Sequence, residues 1–505
     1  MIRRKALHSA YPAVLGLVAG VLVTGLVLPF VVGEEEGTTT AVGGAALAAG
    51  DAAGSEGGGG AGGDDAASTD GGGSGGATGG ATAAPDGAAA GGGTSGGGAT
   101  SGGGSVALAA TDRGVTATAV RLGIVTADLR TANAIGLAPD NYEIESQQRA
   151  YRTFVEDLNA KGGINGRRVE LVFQTVDPLD DDAPRAACLS LVRDSQVFAV
   201  VSLNSMATTG SLCVTKEGAT PLISGTSMPV SVFRESGGRL ITNMASIERM
   251  MANWVAELDR TGALKGRKIG VLASEDDAAA DKQAADAVVA ELGRAGHAVA
   301  HRSRLSADLQ TGTGQLPVEV QRMRQAGVDL ILLPVNFLYA TQFAQAASGQ
   351  GYRPRYAVSD HQGLYSDELV QNMPPDFDGA ISFTSYRINE KAGGLPEPEV
   401  ERDCRERYNR RADGPDFAYG DSTPLQRACG QIGIFAAAAG AAGPQLTRDR
   451  FLAGLAGLGR VPLTQVLGGS FGPGKTDFAD DLRPMTWSSG CRCWRIAGPP
   501  TRGRT

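Results

Sequence analysis

The sequence predicts an α/β protein built from doubly wound sheets, in which parallel strands carry helices on both faces. Three observations carry that class. Short apolar runs end in clusters of small polar residues: residues 198–201 run into Ser202, Asn204 and Ser205, and residues 222–223 into Ser224, Gly225, Thr226 and Ser227. One helix-length segment separates the two runs, as between neighbouring parallel strands that are buried on both faces. Upstream and downstream, strand patterns keep alternating with patterns of 3.6-residue period. Ligands of such sheets sit beyond the carboxyl ends of the strands, where hydroxyls, an amide and backbone N–H groups converge. The polar clusters are therefore the first candidate site for a small molecule.

The amino terminus sets the compartment. Arg3, Arg4 and Lys5 precede residues 12–32, PAVLGLVAGVLVTGLVLPFVV, an uncharged stretch of the length needed to cross a bilayer, and Glu34, Glu35 and Glu36 follow it. Positive charge before the span places the amino terminus in the cytoplasm and the rest outside. We read residues 1–36 as a cytoplasmic stub and single-pass membrane anchor. A cleaved signal peptide, which would leave the protein secreted, is the competing reading. Residues 37–112 are nearly all Gly, Ala, Ser, Thr and Asp. Such a composition cannot offset the entropy of ordering and predicts a disordered tether with a reach of about 45–50 Å.

Composition excludes some functions. The chain of 505 residues has a net charge of −8 and no basic stripe, against a nucleic-acid partner. Its four histidines are dispersed, and no CxxC pattern stands with histidines at zinc-ligand spacing. No Ser-His-Asp or Cys-His grouping can be assembled, so neither an enzyme nor a cofactor is expected.

Element by element, residues 120–126 read as a strand, and Tyr151, Phe154, Val155 and Leu158 recur at i, i+3, i+4 and i+7 on one helix face. Gly162-Gly163-Ile164-Asn165-Gly166 stops that helix in a tight turn, and residues 168–176 form the next strand. A helix over residues 184–193 buries Cys188, Leu191 and Val192, and the strands of the polar clusters follow. Met251, Trp254, Val255 and Leu258 mark a further helix, after which residues 268–273, 299–302, 330–335, 356–359 and 381–385 continue the strand series.

Residues 114–125, GVTATAVRLGIV, and residues 158–172, LNAKGGINGRRVELV, resemble the opening and the Gly-Gly-Ile-Asn-Gly-Arg turn of type I periplasmic binding proteins. The likeness is nearest to the branched-chain amino-acid and amide-type substrate-binding components of ABC importers. It implies two doubly wound α/β lobes joined by three crossover segments, with residues 113–247 and 385–470 in lobe 1 and residues 248–384 and 471–505 in lobe 2. It implies, too, an extracytoplasmic protein that captures a small polar ligand, such as an amino acid or amide, between its lobes and delivers it to ABC permease subunits. A membrane-anchored sensor acting through a partner protein is the alternative.

By position in that family, Asn204, Ser205, Gly225, Thr226 and Ser227 contact the ligand from lobe 1. Ser and Asn after a strand also cap the next helix, and one residue can do both. From lobe 2, Ser274, Asn336 and Asp360 are the candidates, with Glu275, Asp276, Phe337 and His361 beside them. An acid such as Asp360 would pair with an ammonium group buried on closure. Ala278, Ala279 and Ala280 stand where the amino-acid binders carry an aromatic contact, which argues against a leucine-like ligand. Tyr419-Gly420-Asp421 lies near the expected hinge, with Asp421 read as a helix N-cap.

Two local patterns remain. Residues 469–476, GSFGPGKT, match a phosphate-binding loop letter for letter, but no apolar strand precedes them and the acidic run at Asp477, Asp480 and Asp481 follows. We read a hairpin-like turn there; a nucleotide-binding enzyme is the remote alternative. Six cysteines suit an oxidising compartment. Cys188 meets Cys213 if their helices pack on one face of the sheet, and Cys404 with Cys429 joins two successive helices. Cys491 and Cys493 are not expected to bridge locally, since alternate residues of an extended strand stay apart.

Overall fold

The computed structural model describes residues 108–130, 143–177, 180, 182–203, 205–275, 280–421 and 423–504. The apolar span 12–32, most of the Gly-rich stretch, Asn204, Asp276, Ala278 and Ala279 lie outside them. The strands wind into two sheets of the same order. In the first, β1 (Ala119–Ala127), β2 (Arg168–Val176), β3 (Ala199–Ser202), β4 (Leu222–Ser224) and β5 (Leu240–Thr242) stand as β2-β1-β3-β4-β5, every pair parallel. In the second, β6 (Ile269–Val271), β7 (Val299–Arg302), β8 (Leu330–Leu333), β9 (Arg355–Val358) and β10 (Ile381–Thr384) stand as β7-β6-β8-β9-β10, again parallel. An antiparallel hairpin, β11 (Asp481–Ser488) and β12 (Cys493–Ile496), extends that sheet beyond β10, and β13 (Thr501–Arg502) pairs with β11.

The apolar runs form these strands because successive residues point to opposite faces and both faces are covered. Ile223 and Ile241 enter one core with Tyr151, Phe154 and Phe435, while their neighbours Leu222 and Leu240 enter another with Cys188, Leu191 and Val214. Ile331 and Leu333 likewise face Phe343 and Trp487, whereas Leu330 and Leu332 face Trp254 and Val288. On the helix Ile144–Ala160 the expected stripe holds: Tyr151, Phe154 and Val155 are buried and Leu158 packs beside them. Its end is set by Gly163, at φ 68°, where a Cβ would come within 1.9 Å of the Arg167 carbonyl oxygen. Only glycine fits that turn.

Chain passes between the sheets after β5, after β10 and before β11. The helices Glu399–Arg411 and Thr423–Ala441, between the last two passes, pack on Ile144–Ala160 of the first sheet's layer. The final pass is fastened by charge. Asp477 accepts from Ser246 N and Arg249 Nε, both at 2.8 Å, and Arg249 reaches Asp480 at 2.9 Å. Lys475 stands 3.1 Å from the same Asp480 carboxylate, whose other oxygen accepts from Ser470 Oγ at 2.8 Å.

The lysine of the loop-like motif is thus spent on its own chain, donating also to the carbonyls of Asp477 and Phe478 at 2.7 and 3.2 Å. Gly472 and Lys475 exchange backbone hydrogen bonds at 3.1 and 2.9 Å around Pro473-Gly474. With Gly474 at φ 73°, this is the tight turn read from the sequence, and no helix follows it.

The structure bears on three expectations. Cys188–Cys213 and Cys404–Cys429 are bridged as read, but so are Cys491 and Cys493, with Cα atoms 5.2 Å apart. The backbone there is not extended: Cys491 lies in the β11–β12 turn, and Arg492 at φ 54° folds the chain back before Cys493 opens β12. Residues just before 113 also pack on the body: Arg448 binds the Asp112 carboxylate and Arg167 donates to Ala109 O at 2.9 Å. The carboxylate of Asp421, read as a helix N-cap, accepts from Ala418 N at 2.8 Å in the turn before the helix Thr423–Ala441.

Lys475→Ala leaves Asp480 to Arg249 and Ser470 alone and is expected to cost about 1–3 kcal/mol in urea denaturation. Unchanged stability would mean that Lys475 does not fasten the last crossing.

Candidate ligand-binding site

The carboxyl ends of both sheets open onto one cavity of about 720 Å³. Gly225, Thr226 and Ser227, directly after β4, line it from the first sheet. Asn336 and Phe337 after β8, Asp360 and His361 after β9, and Tyr386 after β10 line it from the second. A Cβ on Gly225 would come within 1.9 Å of the Leu203 carbonyl oxygen, so the strand end must be glycine for the two loops to approach. Ser227 Oγ donates to Ala245 O, and Thr226 N to Ser224 Oγ at 3.1 Å.

Asp360 is the least compensated group here. It is 2 % exposed. Its Oδ2 accepts from both Ser385 N and Ser385 Oγ at 2.6 Å, whereas Oδ1 is buried with no hydrogen-bond partner among the described residues. Burial pushes the carboxyl up to about 6, with hydrogen bonds from the Ser385 and Thr384 side chains and the Ser385 N–H pulling the other way. Asn336, by contrast, is engaged. Its Oδ1 caps the helix Phe337–Gly349 at Tyr339 N, 3.1 Å, and its N and Nδ2 both donate to Asp281 Oδ2 at 3.0 Å. Asp281 Oδ1 meets His361 Nε2 at 2.7 Å, so Asn336, buried Asp281 and buried His361 form one chain of polar groups along the cavity wall.

The sequence-derived candidates thus divide. Gly225, Thr226, Ser227, Asn336 and Asp360 come together at the cavity. Ser205 and Ser274 are not among its lining residues; both are buried with hydroxyls that have no partner among the described residues. Other lining residues were not anticipated. Tyr365 and Tyr386 stack with ring centroids 3.8 Å apart, and burial raises the Tyr386 phenol well above its ordinary range. Tyr386 follows the strand read at residues 381–385 directly, as Asp360 follows the one at residues 356–359. Arg427 reaches the cavity from the helix Thr423–Ala441, where it is the only charged residue, and donates to Gln465 Oε1 at 3.3 Å. Glu401 also lines the cavity; burial raises its carboxyl, opposed by the Gln465 N–H it accepts at 2.9 Å. Among the described residues no three His, Cys, Asp or Glu side chains gather as a metal site.

A family model described as periplasmic binding protein matches residues 139–492. The chain belongs to the periplasmic binding protein family. Solved structures agree on a type I fold at low identity. A branched-chain amino acid ABC transporter protein of Thermus thermophilus with bound valine is 14 % identical, covers 76 % of this chain and 97 % of its own, and gives a TM-score of 0.57. A fatty acid ABC transporter substrate-binding protein of Thermomonospora curvata is 17 % identical over 78 % of this chain and 95 % of its own, with a TM-score of 0.55. A solute-binding protein of R. palustris in complex with 4-hydroxybenzoate is 13 % identical over 77 % and 98 %, with a TM-score of 0.56. No curated protein matches the chain.

In this periplasmic binding protein, then, the resemblance carried by the Gly-Gly-Ile-Asn-Gly turn holds, and the cavity lies where two lobes face each other. Its Asp360 makes stability pH-dependent. A carboxyl raised from 3.8 to about 6 keeps in the folded state a proton that the unfolded chain releases, so stability falls as pH rises through that window, by about 3 kcal/mol in all. In urea denaturation between pH 4 and 7 of the ligand-free protein, Asp360→Asn is expected to remove that loss. Parallel curves for the two proteins would refute it.

Proposed function

We propose that this protein is an extracytoplasmic solute-binding component of an ABC importer, tethered by its amino-terminal segment, that closes its lobes on a small polar solute. The observation that carries the reading is the buried oxygen of Asp360, without a partner among the described residues, in a cavity lined from both sheets. An unsatisfied buried carboxylate is costly, and a ligand group that donates a hydrogen bond to it, an ammonium or amide above all, would recover that cost. Binding energy spent in this way favours the closed form.

Gly225, Thr226 and Ser227 would then hold the solute from lobe 1 through backbone N–H groups and hydroxyls. Asp360 would hold it from lobe 2, with Asn336 kept in place by Asp281. Family membership supports solute capture, and three disulfides suit an oxidising compartment. The solutes named for the structural neighbours, valine and 4-hydroxybenzoate among them, guide the choice of compounds.

A thermal-shift screen of amino acids, amides, short peptides and aromatic acids is expected to give at least one saturable rise in Tm, because binding to the folded form alone stabilises it. Asp360→Asn should abolish that rise, while ATP should produce none in wild type or Lys475→Ala. A rise with ATP that Lys475→Ala removes would overturn the reading in favour of a nucleotide site.

A further inference from the structure

The three disulfides are not chemically alike. Cys188, Cys213, Cys404 and Cys429 are each at most 4 % exposed, inside the two cores of the first lobe. Cys491 is exposed and Cys493 half-buried. The first two bridges each span 25 positions of chain, and the third spans 2. A bridge restricts the unfolded chain more the longer the loop it closes, so the two long bridges hold the fold and the short one restrains little beyond its own turn.

That turn is held in a conformation its sequence does not favour. Arg492, a residue with a Cβ, sits at φ 54° in the left-handed region between the two cysteines. The hairpin does not need the bridge to stay in register: Ser488 pairs with Cys493 and Trp487 with Trp494 in the β11–β12 ladder. Trp494 is further tied by its N–H to Asp367 Oδ1 at 2.8 Å and by its indole to Leu364 O at 3.1 Å. Opening the bridge would therefore free Arg492 and leave the sheet paired.

We propose that Cys491–Cys493 is a thiol-exchange site, opened by a low-molecular-weight thiol and reclosed by that molecule's disulfide while the other two bridges stay shut. The thiolate of the small molecule attacks the exposed Cys491 sulfur, forming a mixed disulfide as the bond to Cys493 breaks and Cys493 leaves as a thiolate that takes up a proton. A second thiolate attacks the small molecule's own sulfur in that mixed disulfide and releases Cys491 as a thiolate, which is protonated in turn. Two small-molecule thiols become one disulfide, and one protein disulfide becomes two thiols. Cationic Arg492 between the cysteines favours each thiolate as it leaves.

The test uses the native full chain and reduced glutathione without denaturant. After timed quenching with iodoacetamide, peptide mass spectrometry reads alkylation at each cysteine. Cys491 and Cys493 are expected to be labelled at least tenfold faster than the other four, and the thermal melt of the opened protein should stay cooperative with little change in Tm. Equal or slower labelling of Cys491 and Cys493 would overturn the proposal. So would loss of the cooperative melt once only these two are labelled, since the bridge would then be holding the fold.

Discussion

One oxygen atom organises the account of this molecule. Asp360 Oδ1 is buried at the carboxyl end of β9 with no hydrogen-bond partner among the described residues, while its sister oxygen is held by Ser385 at 2.6 Å. Folded proteins rarely leave a carboxylate oxygen in that state, because the group forfeits hydration without replacing it. The carboxyl meets the cost in part by holding its proton to about pH 6. A solute that donates to the oxygen would lift the remainder and drive the carboxyl back to its ionised form.

What places that oxygen is the repeated winding of the chain. Two sheets of order 2-1-3-4-5, each buried on both faces, put every strand's carboxyl end on one edge, and the crossings after β5, after β10 and before β11 turn the two edges toward a common space. Gly225 lets the first sheet's loop come close, since no larger residue fits against Leu203 O. The Arg249–Asp477–Asp480–Lys475 cluster secures the last crossing with four charges that satisfy one another. The residues that imitate a phosphate loop are part of that fastening.

The fold was largely legible, because strands buried on both faces leave short apolar runs that alternate with helical patterns. Residues 168–176 and 299–302 match β2 and β7 end to end. β5, no shorter than β4, was not read, and the β11–β12 hairpin carries Pro484 opposite Phe383, a residue that argues against a strand. The bridge between Cys491 and Cys493 escaped notice because it depends on the left-handed Arg492, which composition does not announce. At the site, residues that follow a strand directly, Gly225 to Ser227, Asn336 and Asp360, could be read from position alone. Tyr365 and Arg427 arrive from a turn and a distant helix, and only tertiary packing brings them to the cavity.

The most direct test of Asp360 as the solute's partner is infrared difference spectroscopy of its carboxyl, wild type minus Asp360→Asn, titrated with and without the compound that raises Tm most. A midpoint of about 6 is expected without that compound, with a clear fall when it is bound. A midpoint that does not move on saturation would contradict it.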